Sequence, residues 1–230
     1  MSSKEICFYY GSKNLDKLAK YKAVILQASH YTSQEIKDLS KNTRVYAYLS
    51  LGEDSAKSGP WQKKERNTDW DTAYVDIGSS LWQAEILNKA SSYFAQGFQG
   101  LFLDTLDAVD IFPEYKEDML SLISRLKQLA KNKALIANRG FSLLPDLEKY
   151  IEAIVFESFS SIWQASGKCR SLKADELAWT KEIAQRLQAS SLEVYTLDYA
   201  DSVILKNFVQ ARAKAYGFKS VISNQYLTKI

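Results

Sequence analysis

The chain has 230 residues, close to the roughly 250 that a closed α/β barrel occupies as one unit. Its hydrophobic content of 46%, with nine glycines and three prolines, excludes disordered and fibrous compositions and predicts a compact core. The formal charge of +3 is a near balance of 30 basic and 27 acidic side chains rather than a basic block, so no nucleic-acid partner is expected.

From the amino terminus, Met1 to Glu5 contains no apolar stretch of the kind that forms a secretory leader or a membrane span. A cytoplasmic chain, or one trimmed of a leader, is therefore expected. Eight short, nearly continuous apolar runs follow: 6–11, 23–28, 44–51, 101–105, 134–138, 153–159, 193–199 and 219–224. Runs of this length without alternation predict strands covered on both faces, as in a parallel sheet. Between the third and fourth runs, a long insertion from Glu53 to Trp82 carries Trp61, Trp70 and Trp82, and loops of that length are usually functional.

The later connecting segments have helical spacing. Residues 117–131 place Met119, Leu120, Leu122, Ile123, Leu126 and Leu129 on one stripe, and 173–189 and 203–216 are patterned alike. Gly97 and Gly217 stand where a helix should stop before the next strand. Eight βα units predict a single (β/α)8 TIM barrel over residues 1–230, with a long loop after strand 3. No exposed heptad or long apolar strip marks a partner surface, so a monomer is expected.

His30 is the only histidine, which argues against a Ser-His-Asp triad and leaves few zinc ligands. Cys7 and Cys169 form no metal-binding or redox motif, and no glycine-rich GxGxxG turn is present. No cofactor or metal is expected, and chemistry falls to carboxylates, hydroxyls or lysines. In a barrel those groups act at the carboxyl ends of strands. These ends carry Tyr10, Glu53, Asp104, Asn138-Arg139, Glu157, Asp198-Tyr199 and Asn224.

An acid after a strand can simply cap the next helix, and Thr105 or Asp107 would serve as well as Asp104. Glu157 is harder to explain so, because glutamate is a poor cap and lies within Ile154-Val155-Phe156-Glu157-Ser158-Phe159; an ion pair with Arg139 is the structural alternative. Two carboxylates suit glycoside hydrolysis, where one protonates the leaving oxygen and the other attacks or stabilises the oxocarbenium-like centre. Phe156 and Phe159 beside Glu157 favour it as the acid, with Asp104 as nucleophile or base. The aromatic residues Tyr9, Tyr10, Tyr48, Trp61, Trp70, Trp82, Trp163 and Tyr199 would provide flat platforms for sugars. A non-catalytic carbohydrate-binding barrel, a phosphosugar isomerase or aldolase, and a carboxylate-metal hydrolase remain as alternatives.

The segments Tyr9-Tyr10-Gly11, Tyr48-Leu49-Ser50-Leu51-Gly52-Glu53, the run from Gly97 to Asp107 with its Phe102-Leu103-Asp104-Thr105, Asn138-Arg139-Gly140 and Glu157-Ser158 resemble glycoside hydrolase family 114, the endo-α-1,4-polygalactosaminidases. The resemblance reaches Asp198-Tyr199-Ala200. It implies a (β/α)8 barrel that cleaves galactosamine-containing polysaccharides, including those of microbial biofilms, through an acidic groove. Asp104 and Glu157 fall on the family's catalytic positions, and Tyr10, Glu53, Asp76, Asn138 and Asp198 on its groove. Trp82, Asp107, Arg139 and Tyr199, from the same rim and loop, join them as expected substrate contacts. Gln99 stands where many relatives have Asp, and the segment after Glu53 lacks an arginine and a Tyr-Trp pair found in relatives.

Overall fold

A computed structural model describes residues 4–164 and 166–230. Eight parallel strands form one sheet in the order β1 (Lys4–Tyr9), β2 (Tyr21–Leu26), β3 (Arg44–Ser50), β7 (Gly100–Asp104), β8 (Ala134–Asn138), β9 (Ala153–Glu157), β12 (Glu193–Tyr199) and β13 (Lys219–Ser223). The sheet curls into a nearly closed barrel. At the seam Tyr10 donates its backbone N–H to Leu227 at 2.8 Å, and at the opposite end Lys219 reaches Glu5 at 3.1 Å and also Glu193. These last groups are about 40% exposed, so each pair contributes less than about 1 kcal/mol.

The helices are α1 (Leu15–Leu18), α2 (Ser33–Leu39), α3 (Ser80–Gln96), α4 (Ala108–Ile111), α5 (Lys116–Ala130), α6 (Ala174–Gln188) and α7 (Val203–Ala215). In α5, Met119, Leu122, Ile123 and Leu126 are fully buried, as the stripe predicts. Ser79 and Ser202 cap α3 and α7 by accepting N–H groups from Trp82 and Leu205, and Gly97 ends α3 at φ 116°, where a side chain would be strained.

Strand alternation separates two apolar layers. Cys7, Val45, Leu101, Leu103, Leu135, Ile154, Phe156 and Val194 face the helices, while Ile6, Phe8, Tyr46, Phe102, Ile136, Val155, Tyr195 and Leu197 fill the barrel. The upper end of that inner row is polar, and there the site lies.

Two excursions interrupt the βα repeat. The expected loop from Glu53 is a small antiparallel sheet of β4 (Glu53–Asp54), β5 (Gln62–Asn67) and β6 (Thr72–Val75) in the order β4-β6-β5. Its strand Gln-Lys-Lys-Glu-Arg-Asn has no apolar residue and no buried position, so it lacks the pattern that marks a strand. After β9, a hairpin of β10 (Ser161–Trp163) and β11 (Cys169–Ser171) is added, three residues on each side.

Candidate active site

The inward residues at the carboxyl ends of β7, β8 and β9 are Asp104, Asn138 and Glu157, side by side in the sheet. Each is followed by a non-glycine residue in the left-handed region: Thr105 at φ 60°, Arg139 at φ 54° and Ser158 at φ 56°. Such a residue costs on the order of 1–3 kcal/mol and persists only where its surroundings hold it. Here Arg139 and Ser158 donate backbone N–H groups to Val155 and Leu197 at 2.9 and 2.8 Å, extending each ladder across the bend. The three strained bends turn the chain outward immediately beyond the three polar side chains, leaving those side chains aimed at the mouth.

One amide joins the two carboxyl groups. Asn138 donates from Nδ2 to Asp104 Oδ1 at 2.8 Å and to Glu157 Oε2 at 2.7 Å. These oxygens are therefore at most about 5.5 Å apart, nearer to each other than the carboxyls of inverting glycosidases. Tyr199, the inward end of β12, donates its hydroxyl to Glu157 Oε1, so both oxygens of Glu157 are held. Tyr48 lies within hydrogen-bonding reach of Asp104, and Tyr10 packs edge-on against Tyr48 at 5.2 Å.

Burial pushes the Glu157 carboxyl up and the negative charge of Asp104 adds to it; Tyr199, Asn138 and Arg139 pull the other way without cancelling the rise. The hydroxyls of Tyr10, Tyr48 and Tyr199 are pushed well above their ordinary value, first by burial and then by the carboxylates, so they remain donors. Asp107 is also raised by burial, against the pull of Arg139 at 3.3 Å.

These groups line a cavity of about 700 Å³ whose wall carries the carboxyls of Glu53, Asp54, Asp69, Asp104, Asp107 and Glu157 against the cations Lys89 and Arg139. It is an acidic groove at the end of a barrel, with two carboxyls bridged at its floor. Among the described residues no three His, Cys, Asp or Glu side chains are grouped to hold a metal ion.

Residues 5–230 match the model of glycoside-hydrolase family GH114. The chain belongs to family GH114. An uncharacterized protein of Deinococcus radiodurans is 25% identical over 225 residues, 87% of this chain and 70% of that protein. The glycoside hydrolase domain of PelA from Pseudomonas aeruginosa superposes with a TM-score of 0.89 at 25% identity, over 98% of this chain and 96% of that one. Aspergillus fumigatus Ega3, solved in complex with galactosamine, superposes with a TM-score of 0.74 at 16% identity, over 98% and 92% of the two chains. This GH114 chain is thus a glycoside hydrolase, and a carbohydrate is its substrate.

Of the residues expected at the site of this GH114 enzyme, the fold brings together Tyr10, Glu53, Asp104, Asp107, Asn138, Arg139, Glu157 and Tyr199. Two others, Asp198 and Asp76, stand elsewhere, and Trp82 borders the cavity only from within the core. Asp198 points to the outer side of the barrel, fully buried, where Oδ1 accepts N–H groups from Ser160 at 2.6 Å and Ser161 at 2.9 Å. It neighbours Tyr199 in a strand, and a period of two allows only one of them to face the groove. Trp82 is 1% exposed in the core, packed on Trp61 at 5.4 Å with its indole N–H donated to Leu51 O, so it is wall rather than platform. Asp76 caps the turn before α3 by accepting the Gly78 N–H at 3.1 Å, outside the cavity. Tyr9 likewise faces the helix layer, and Trp61 is committed to Asp54. The expected reason for a raised Glu157 also changes: Phe156 and Phe159 pack outward on each other and on Phe141, so burial in the mouth and the charge of Asp104 produce the shift.

Two residues of this GH114 site escape the sequence reading. Thr105 Oγ1 accepts the N–H groups of Leu51 and Gly52 at 3.1 and 2.7 Å and touches Ser50 Oγ at 2.9 Å, fastening the end of β3 to the end of β7 beside Asp104. A Cβ on Gly52 would lie 2.4 Å from Thr105 O and 2.5 Å from Ala108 Cβ. Its signal in the sequence is the glycine within Leu51-Gly52-Glu53. Gly52→Ala is expected to lower stability by about 1–3 kcal/mol, because a backbone oxygen cannot swing aside as a side chain can. Chemical denaturation checks it; an unchanged midpoint would mean the β3–β7 junction is slack.

Proposed function

We propose that this glycoside hydrolase cleaves α-1,4-linked polymers of galactosamine and N-acetylgalactosamine, with Glu157 as acid and base and Asp104 as nucleophile. The single amide of Asn138 that holds an oxygen of each carboxyl within about 5.5 Å of the other carries the reading, because so short a spacing fits two displacements better than the wider gap of an inverting pair. In the first, the Asp104 carboxylate attacks the anomeric carbon while Glu157 gives its proton to the departing glycosidic oxygen. In the second, Glu157 takes a proton from water as that water displaces Asp104, and the anomeric configuration is retained.

The amino-sugar assignment is supported by the excess of carboxyls around the groove, which favours a cationic polymer, and by the likeness to a fold solved with galactosamine. Two measurements test the reading: release of reducing ends from partly deacetylated α-1,4-galactosaminoglycan, and proton NMR of the first-formed product. An α-anomer appearing before mutarotation is expected. A β-anomer would reject Asp104 as nucleophile, and no release from this polymer alongside cleavage of another would reject the substrate.

A further inference from the structure

Two carboxylates, Glu53 at the rim and Asp198 buried behind the barrel wall, do not reach toward the floor of the groove; each builds a loop that presents a tryptophan. Glu53 takes hydrogen bonds on both oxygens, from Asn67 Nδ2 at 3.0 Å and Thr72 Oγ1 at 2.5 Å, and so clamps the two sides of the β5–β6 turn. Arg66 closes the same turn on Asp71, through its backbone oxygen at 2.7 Å and its carboxylate at 2.9 Å. Trp70 stands at the tip, 48% exposed. Across the mouth, Asp198 holds the backbone of Ser160 and Ser161, and Ser161 Oγ is locked between the N–H and carbonyl of Tyr199. That fixes the start of β10 and therefore Trp163. The two indoles meet edge to face with centroids 5.5 Å apart.

The topology gives this contact its meaning. β3 and β9 are three places apart in an eight-stranded ring, with β7 and β8 between them. A loop leaving β3 can touch a loop leaving β9 only by arching over that part of the mouth, above Asp104 and Asn138. Asn67, Asp69, Trp70 and Ile162 line the groove under the arch. A half-exposed tryptophan held by four polar clamps, beside a free carboxylate and continuous with an acidic groove, suits a pyranose ring that carries an ammonium group. The indole face attracts a cation, and its apolar area covers the C–H face of the sugar.

We propose that Trp70 and Trp163 form a sugar-binding subsite away from the scissile bond, which takes one hexosamine ring of the polymer against Trp70 with its ammonium toward Asp69. This rests on the substrate reading above. The test measures affinity by calorimetry for α-1,4-linked galactosamine oligomers, from dimer to octamer, with turnover stopped by Glu157→Gln. Affinity rises at the length that first reaches the arch. Adding Trp70→Ala raises Kd about tenfold for oligomers beyond that length and leaves the shortest ones within about twofold, and Trp70→Phe falls between. N-acetylated oligomers of the same lengths lose less. Equal weakening at every length, or none, overturns the subsite while the substrate reading stands; equal loss for acetylated and free amino oligomers overturns the role of the ammonium group. Failure of all galactosamine oligomers to bind the parent protein overturns the substrate reading instead, and this inference with it.

Discussion

Glu157→Gln is expected to lower kcat on the polymer by about 10²–10⁴-fold with the fold intact, the range over which a positioned acid and base accelerates reaction. The replacement keeps the shape and one oxygen, able to accept from either Asn138 or Tyr199, but has no proton to deliver. Asp104→Asn is expected to lose at least as much, because it removes the attacking group. Leaving-group chemistry separates the roles. On an aryl glycoside whose phenolate needs no proton, formation of the covalent intermediate should survive in Glu157→Gln as a burst, whereas Asp104→Asn should give none. A burst in Asp104→Asn and none in Glu157→Gln would exchange the assignments.

The pH profile supplies a second check. Burial and the neighbouring charge of Asp104 raise the Glu157 carboxyl, so its acid form persists above the usual carboxylate range and is lost on the alkaline side. The parent enzyme should show falling kcat/KM there, and Glu157→Gln should lack that limb.

The second large effect concerns stability. Asp198 is fully buried and its carboxyl is pushed up to about 6, by burial foremost; the N–H groups of Ser160 and Ser161, Thr196 and the positive charge of Arg212 offset only part of that cost. An unfolded aspartate titrates near 3.9. Between those values the folded protein binds the proton more tightly, so this group's stabilising contribution is complete below about pH 4 and lost as pH rises through about 6. The shift of about two pH units corresponds to about 3 kcal/mol as an order of magnitude. Asp198→Asn keeps an oxygen for both backbone donors and cannot ionise. Its stability relative to the parent should therefore improve by about 3 kcal/mol between pH 4 and pH 8. Denaturant unfolding of both proteins at both pH values measures that double difference. A value near zero would show that Arg212 and the backbone donors fully compensate the buried charge.

The same residue shows where sequence reading reaches its limit. Eight apolar runs with helical spacing between them are enough to predict the barrel, since a parallel strand covered on both faces must be apolar throughout. Helices α5, α6 and α7 follow from stripes whose ends lie within one residue of those seen. Asp104 and Glu157 stand out because a carboxyl at the end of a buried strand calls for a reason. The same continuous apolar pattern, however, hides which side of the strand each residue faces. Asp198 and Tyr199 look equivalent in sequence, and only the register of β12 places Tyr199 in the mouth and Asp198 behind it. Trp82 and Trp70 likewise occupy one insertion, but α3 carries the first into the core and the β5–β6 turn leaves the second half-exposed.

By itself the sequence determined the βα repeat, the acids at the strand ends and the absence of any histidine-based triad, because these depend on local composition and spacing. Tertiary structure alone decided that Asn138 spans Asp104 and Glu157, that Thr105 ties two strands beside them, and that Trp70 meets Trp163 across the mouth. Those contacts join residues from different strands, and their distances are set by how the sheet curls and closes, which no single segment encodes.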